Sequence, residues 1–146
     1  MSRNLLLAAI LALAFFGIAD SWYLADAAFG ETALTCGIEA LDGCNTVAES
    51  EYSRLFGLPL ALYGVAFYSI LFILSAVLLA LRDRFLEKVL YGGSLAAFLA
   101  SLYFLYLQVF VIRALCVYCL VSFFLSSCIA LAAWKLIRRS STAVLP

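Results

Sequence analysis

The chain has 146 residues, of which 67% are hydrophobic and only 12% charged, with a mean hydropathy of +1.12. A soluble domain of this size needs a largely polar exterior, so the composition excludes one and makes a bilayer the natural solvent. The formal net charge is zero. Histidine is absent and Met1 is the sole methionine, which argues against a transition-metal site and leaves only a four-thiolate zinc site open by count. No metal and no nucleic-acid partner are expected.

Crossing roughly 30 Å of hydrocarbon takes about 20 mostly apolar residues. Segments 5–24, 59–81, 89–112 and 115–137 qualify. Their apolar runs are continuous, which predicts helices rather than a barrel. The expected fold is all-α: an integral-membrane four-helix bundle, a single domain over 1–146, with a long extracytoplasmic loop over 25–58 that contains a short interfacial helix.

The first segment has two readings. Met1-Ser-Arg-Asn, the apolar run behind it and Ala25-Asp26-Ala27 have the form of a cleavable secretory signal. Trp22-Tyr23 has the form of an interfacial anchor on a retained helix. Asp20 reads as the solvated end of that helix. The loop that follows is too long for a plain connection. Within it Thr46-Val-Ala-Glu49 fits a capping box, predicting a helix of about three turns that carries Val47, Leu55 and Phe56 on one face, with Cys44 just ahead of it. Gly57-Leu58-Pro59 closes the loop, and Pro59 suits the first turn of the second helix.

A tight basic turn joins the second and third helices. Almost nothing joins the third and fourth, so they are expected to be antiparallel neighbours. Gly92, Gly93, Ala96, Ala97 and Ala100 form a small-residue stripe that predicts close helix packing. The tail, 140–146, is expected to be disordered.

Basic residues gather at Arg3, at Arg82, Arg84 and Lys88, and at Lys135, Arg138 and Arg139, whereas the long loop is acidic with a single Arg54. The positive-inside rule then puts both termini in the cytoplasm and the loop outside, together with the Arg113-Ala114 turn. Four of the five cysteines thereby share the outer face. They are Cys36 and Cys44 in the loop, and Cys116-Val-Tyr-Cys119 at the mouth of the last helix. Cleavage of the first segment would not separate them, because an even number of crossings lies between.

Each pair alone has an ordinary reading. Buried thiols often act as small apolar residues, and a loop pair outside the cytoplasm is often a structural staple. A staple does not explain the second pair. Two dithiols able to meet at one membrane face point to thiol–disulfide exchange. The helix start and nearby Arg113 favour a Cys116 thiolate, although Arg113 also suits a headgroup anchor. Cys128 lies mid-helix and reads as packing. A non-enzymatic membrane scaffold with structural disulfides stays open.

Taken together, the loop pair, Ser50 six residues after Cys44, Phe56-Gly-Leu-Pro-Leu-Ala-Leu-Tyr-Gly64 and a CxxC opening the last helix resemble the vitamin K epoxide reductase (VKOR) family. The resemblance is to its bacterial quinone-linked thiol oxidases without a fused thioredoxin-like domain, and it covers nearly the whole chain. DsbB-type oxidases have the reverse pair order. The resemblance implies a quinone-dependent thiol–disulfide oxidoreductase of the bacterial inner membrane. Its partner would be a thioredoxin-fold, DsbA-like protein, and its acceptor ubiquinone or menaquinone. Cys36 would exchange with the partner, Cys44 with Cys116, and Cys119 would face the quinone. Ser50 would steady the site, and Phe56, Phe67 and Phe123 would lie near the ring. Animal members carry a tyrosine and an asparagine where this chain has Phe123 and Leu60, which argues against epoxide reduction, the alternative activity.

Overall fold

The computed structural model describes residues 2–30, 32–36 and 43–142. In chain order they form α1 (Arg3–Gly30), α2 (Cys44–Glu49), β1 (Arg54–Leu55), β2 (Leu58–Pro59), α3 (Leu60–Ala80), α4 (Arg84–Tyr106) and α5 (Val117–Thr142), with a π turn over Leu107–Ile112 continuing α4. Among the described residues, four helices are long and apolar enough to cross a membrane: α1, α3, α4 with its π turn, and α5. The protein is an all-α, multi-pass membrane bundle. α1 packs along α3 and α5, and α4 packs mainly on α5. Phe15, Phe16, Ile73, Leu99, Phe124 and Leu131 point outward, as side chains do where lipid tails replace water.

Helix ends depart from the sequence expectation, for local reasons. α1 continues to Gly30 rather than stopping at 24. Ala25, Ala27 and Ala28 are strong helix formers, and hydropathy marks hydrocarbon thickness, not helix length. Asp20 is therefore an interior residue of α1, not a helix terminus. α4 starts at Arg84 rather than 89 because Asp83 caps it, accepting from the backbone N–H groups of Phe85 (2.7 Å) and Leu86 (3.3 Å). α5 begins after Cys116 and stays helical through Thr142, which corrects the expected disorder over 140–142; the last four residues lie outside the described ones.

The capping box does not form. Gly43 is the N-cap of α2, no side chain caps it, and Cys44 is the first helical residue. α2 ends at Glu49, so the expected three-turn helix is instead a short helix, a turn over Glu51–Ser53 and a two-stranded hairpin. The hairpin pairs Arg54 with Pro59 and Leu55 with Leu58. Phe56 (φ 53°) and Gly57 (φ 82°) make its two-residue tip, the positive φ values that a type I′ turn requires. Phe56 is 92% exposed there. Tyr63 Oη donates to the Leu55 carbonyl (3.0 Å) and ties the hairpin to the start of α3.

One end of the bundle collects the basic residues. Arg3 pairs with the buried Glu87 (3.0 Å) and donates to the carbonyls of Leu78 (2.8 Å) and Leu81 (3.0 Å). Ser140 Oγ donates to the other Glu87 oxygen (2.6 Å). These bonds lock the start of α1, the end of α3, the start of α4 and the end of α5 together. The main apolar core follows inward with Leu6, Leu7, Ile10, Leu71, Leu78 and Leu136. Above it, α1 and α3 touch closely: a Cβ on Gly17 would lie 2.5 Å from the Tyr68 ring. Tyr68 Oη in turn bonds the Ser122 carbonyl (3.0 Å) and hydroxyl (2.9 Å) on α5. The small-residue stripe of α4 does a different job from the one expected. Gly93 does face α3, where an added Cβ would lie 3.5 Å from Leu71 Cδ2, but a Cβ on Gly92 would meet nothing within 4 Å, and Ala96, Ala97 and Ala100 line a cavity.

Candidate redox site

Opposite the basic end, a second apolar cluster holds Ala27, Leu34, Cys44 and Cys116, with Cys36, Val47, Val117, Tyr118 and Cys119 packed against it. Both cysteine pairs thus occupy one buried knot. The reason is a backbone contact. Gly43 N–H donates to the Leu115 carbonyl (3.2 Å), one residue before Cys116. A Cβ on Gly43 would stand 2.7 Å from Leu115 N and 2.8 Å from both Leu115 O and Ala114 Cβ. Glycine is what lets the two segments meet.

Polar side chains fix the rest. Asn45 clamps the segment before Cys36: Leu34 N–H donates to Asn45 Oδ1 (2.8 Å), and Asn45 Nδ2 donates to the Leu34 carbonyl (3.3 Å). Tyr118 Oη donates to the carbonyl of Thr35 (2.9 Å), next to Cys36. Its ring lies 5.1 Å from that of Tyr23. At the end of α4, Arg113 adopts the left-handed conformation (φ 57°, ψ 34°) and reverses the chain. Ala114 N–H donates to the Gln108 carbonyl (3.1 Å), and Cys116 N–H donates to Gln108 Oε1 (3.0 Å). Gln108 is buried, so a single side chain seats the start of α5.

Cys36 and Cys44 are joined by a disulfide, with Cα atoms 6.4 Å apart, inside the range such a bridge spans. Cys116 and Cys119 are free thiols, as is Cys128 further along α5. Cys44 is 0% exposed and Cys116 is 1% exposed. A hydrogen bond from Cys119 pulls the Cys116 thiol down to about 7, opposed by burial and helped by the backbone amides of Cys119 and Tyr118. A thiol so placed is substantially thiolate near neutral pH, the form that attacks disulfides.

Below the cysteines opens a cavity of about 1310 Å³. Cys44, Cys116 and Cys119 reach its wall. So do Leu24, Phe67, Phe104 and the α4 alanines, with Asp20, Ser21, Gln108 and Ser122 among the polar positions. Glu49, Glu51 and Arg54 add charge to the wall, but most of its surface is apolar. A mainly apolar wall with placed polar groups suits a flat, ring-shaped ligand carrying carbonyl oxygens, so the residues present fit a quinone.

The expected site residues are distributed unevenly. Cys36, Cys44, Cys116 and Cys119 are brought together. Ser50 lines the cavity, and its hydroxyl donates to the Val47 carbonyl (2.7 Å) at the end of α2. Of the three phenylalanines expected near a ring, Phe67 lines the cavity. Phe56 sits at the exposed hairpin tip, and the ring of Phe123 lies 5.9 Å from that of Phe98; neither is on the cavity wall. Arg113 is solvent-exposed, and its backbone, through the left-handed turn, is what shapes the site. Gln108, Asn45 and the role of Tyr118 have no place in the sequence expectation, and Asp20, expected at a solvated helix end, lines the cavity instead. Gln108 had a signal: a polar amide inside an apolar run is a functional position by default.

The family model of the vitamin K epoxide reductase family matches residues 8–134. No curated protein matches the chain. A match across both cysteine pairs and all four spans means that the chain belongs to the vitamin K epoxide reductase family, and with it to the membrane oxidoreductases that work on thiols and quinones.

Proposed function

We propose that the protein oxidises a thioredoxin-fold partner outside the cytoplasm and passes the electrons through its two cysteine pairs to a membrane quinone, so supporting disulfide formation. The observation that carries this reading is the Gly43–Leu115 contact, which buries Cys44 and Cys116 in one cluster on the wall of a cavity with room for a quinone.

The partner's thiolate attacks Cys36 of the Cys36–Cys44 disulfide, and its second thiol resolves that bond, leaving two loop thiols. Cys44 then attacks Cys116 of a Cys116–Cys119 disulfide, and Cys119 leaves as a thiolate. Cys36 attacks Cys44 to re-form the loop disulfide and free Cys116. Each stage moves two electrons by thiol–disulfide exchange, where about 30 mV corresponds to 1.4 kcal/mol. The quinone supplies the electron sink that restores the Cys116–Cys119 disulfide. Phe67, Leu24 and the α4 alanines hold its ring away from water, and Cys119 faces it from the cavity wall. In this reading the chain is one functional unit over 1–146 in a bacterial inner membrane, with the basic end cytoplasmic.

A cysteine series tests it. Cys44→Ala and Cys116→Ala are expected to abolish oxidation of a DsbA-like partner with ubiquinone or menaquinone as acceptor, while Cys128→Ala keeps the wild-type rate. Full turnover without Cys116 ends the relay. Mixed-disulfide capture on Cys36 identifies the partner.

A further inference from the structure

Asp20 is a carboxyl group in the interior of a membrane-crossing helix. Its Oδ2 atom is shielded from solvent and has no hydrogen-bond partner among the described residues. A buried carboxyl oxygen without a partner is costly, and in a membrane span such a group usually serves a substrate or proton path. Asp20 lines the same cavity as Cys116 and Cys119. The titratable groups that sense it are Cys116 and Cys119, Tyr118 on α5 and Tyr68 on α3. Tyr68 Oη is already engaged with Ser122 and Tyr118 Oη with Thr35. The α4 side chain at the site, Gln108, does not titrate.

The relay proposed above leaves a gap that this carboxyl fills. Closing the Cys116–Cys119 disulfide releases two protons inside a buried site, and making quinol from quinone consumes two. We propose that Asp20 carries one of them: its carboxylate takes the proton that Cys116 sheds on becoming the thiolate, and the resulting acid delivers it to a quinone oxygen in the cavity as the Cys116 and Cys119 sulfurs bond. The Cys119 thiol contributes the second proton and the sulfurs the electron pair. The sum is two thiols plus quinone giving one disulfide plus quinol. The inference rests on the quinone reading and assigns it a proton-transfer residue on α1.

Full-length protein in lipid nanodiscs, a short-chain ubiquinone and dithiothreitol test it, with wild type, Asp20→Asn and Asp20→Glu side by side. General acid–base catalysis by one group is worth about 10²- to 10⁴-fold. Asp20→Asn is therefore expected to lower quinone reduction at least about 100-fold, with dithiothreitol still reducing both disulfides. Asp20→Glu restores part of the rate with a displaced pH profile. Infrared difference spectra on oxidising the Cys116–Cys119 dithiol should show a carboxyl band in wild type that Asp20→Asn lacks. An Asp20→Asn rate within threefold of wild type, or an unchanged carboxyl band, overturns the assignment of Asp20 alone. Wild-type protein that exchanges thiols at both pairs yet reduces no quinone overturns the quinone reading first, and the proton role with it.

Discussion

Replacing Gly43 with alanine attacks the contact on which the two cysteine pairs depend. Gly43 has φ −84° and ψ 7°, which alanine adopts without strain, so any effect is steric and not conformational. The new Cβ would stand 2.7 Å from Leu115 N, against an ordinary contact of at least 3.4 Å. The obstacle is backbone and cannot swing aside, so the loop must rise by roughly 0.7 Å or detach. Rising stretches the 3.2 Å Gly43–Leu115 hydrogen bond. Losing that bond costs about 0.5–1.5 kcal/mol, and forcing an extra methyl into a packed contact costs about 1–3 kcal/mol. Together these weaken docking by roughly ten- to a thousand-fold. Should the loop stay docked but sit high, a misplacement near 1 Å still costs up to about 100-fold in a reaction that needs aligned atoms. Rapid mixing with dithiothreitol, quenching with a maleimide and resolving the redox forms by gel shift measures transfer from the loop dithiol to the Cys116–Cys119 disulfide. Gly43→Ala is expected to slow that internal step at least about tenfold, while dithiothreitol reduces each pair at its usual rate. Transfer within twofold of wild type refutes the reasoning.

Alkylation of Cys116 should rise with pH through a midpoint near 7 and level off above it, because its thiol titrates there and not at the ordinary 9.0. Cys119→Ala removes the largest cause of that depression and is expected to move the midpoint upward; a midpoint near 9 in the unsubstituted protein contradicts the proposed hydrogen bond. As the folded value lies below the unfolded one, the linked stabilisation is complete above about pH 9 and is lost as pH falls through about 7. Gln108→Leu leaves the buried Cys116 N–H without its acceptor, at a cost of about 1–3 kcal/mol. Thermal unfolding in detergent should drop by several degrees, and an unchanged midpoint argues that Gln108 is not the seat of α5.

The four spans and the gathering of cysteines at one end were legible because both need only composition and order. Twenty apolar residues must cross a bilayer whatever their neighbours do. Helix ends were less legible. Ala25–Ala28 extends α1 into what reads as loop, since helix propensity outlasts the hydrocarbon. Thr46 and Glu49 have the residue types of a cap, yet the Gly43–Leu115 bond starts the helix at Cys44: a tertiary contact overrides a local motif. Phe56-Gly57 carried a turn signal that the helical pattern around it hid. Asp20 was misread because its role depends on where α1 ends. The partnerships of Asn45 with Leu34 and of Tyr118 with Thr35 join residues far apart in sequence, and no local pattern announces them. The α4 alanines show the same limit: a small-residue stripe says that something comes close or that space is kept open, and only the packed structure tells which.

The most direct measurement isolates two sulfurs. In a chain carrying Cys36→Ala, Cys119→Ala and Cys128→Ala, only Cys44 and Cys116 remain. Mild oxidation in membranes is expected to join them within one molecule, seen as maleimide protection that a thiol reductant reverses. If both stay free to react, or link only between molecules, the two pairs do not meet and electrons cannot pass between them.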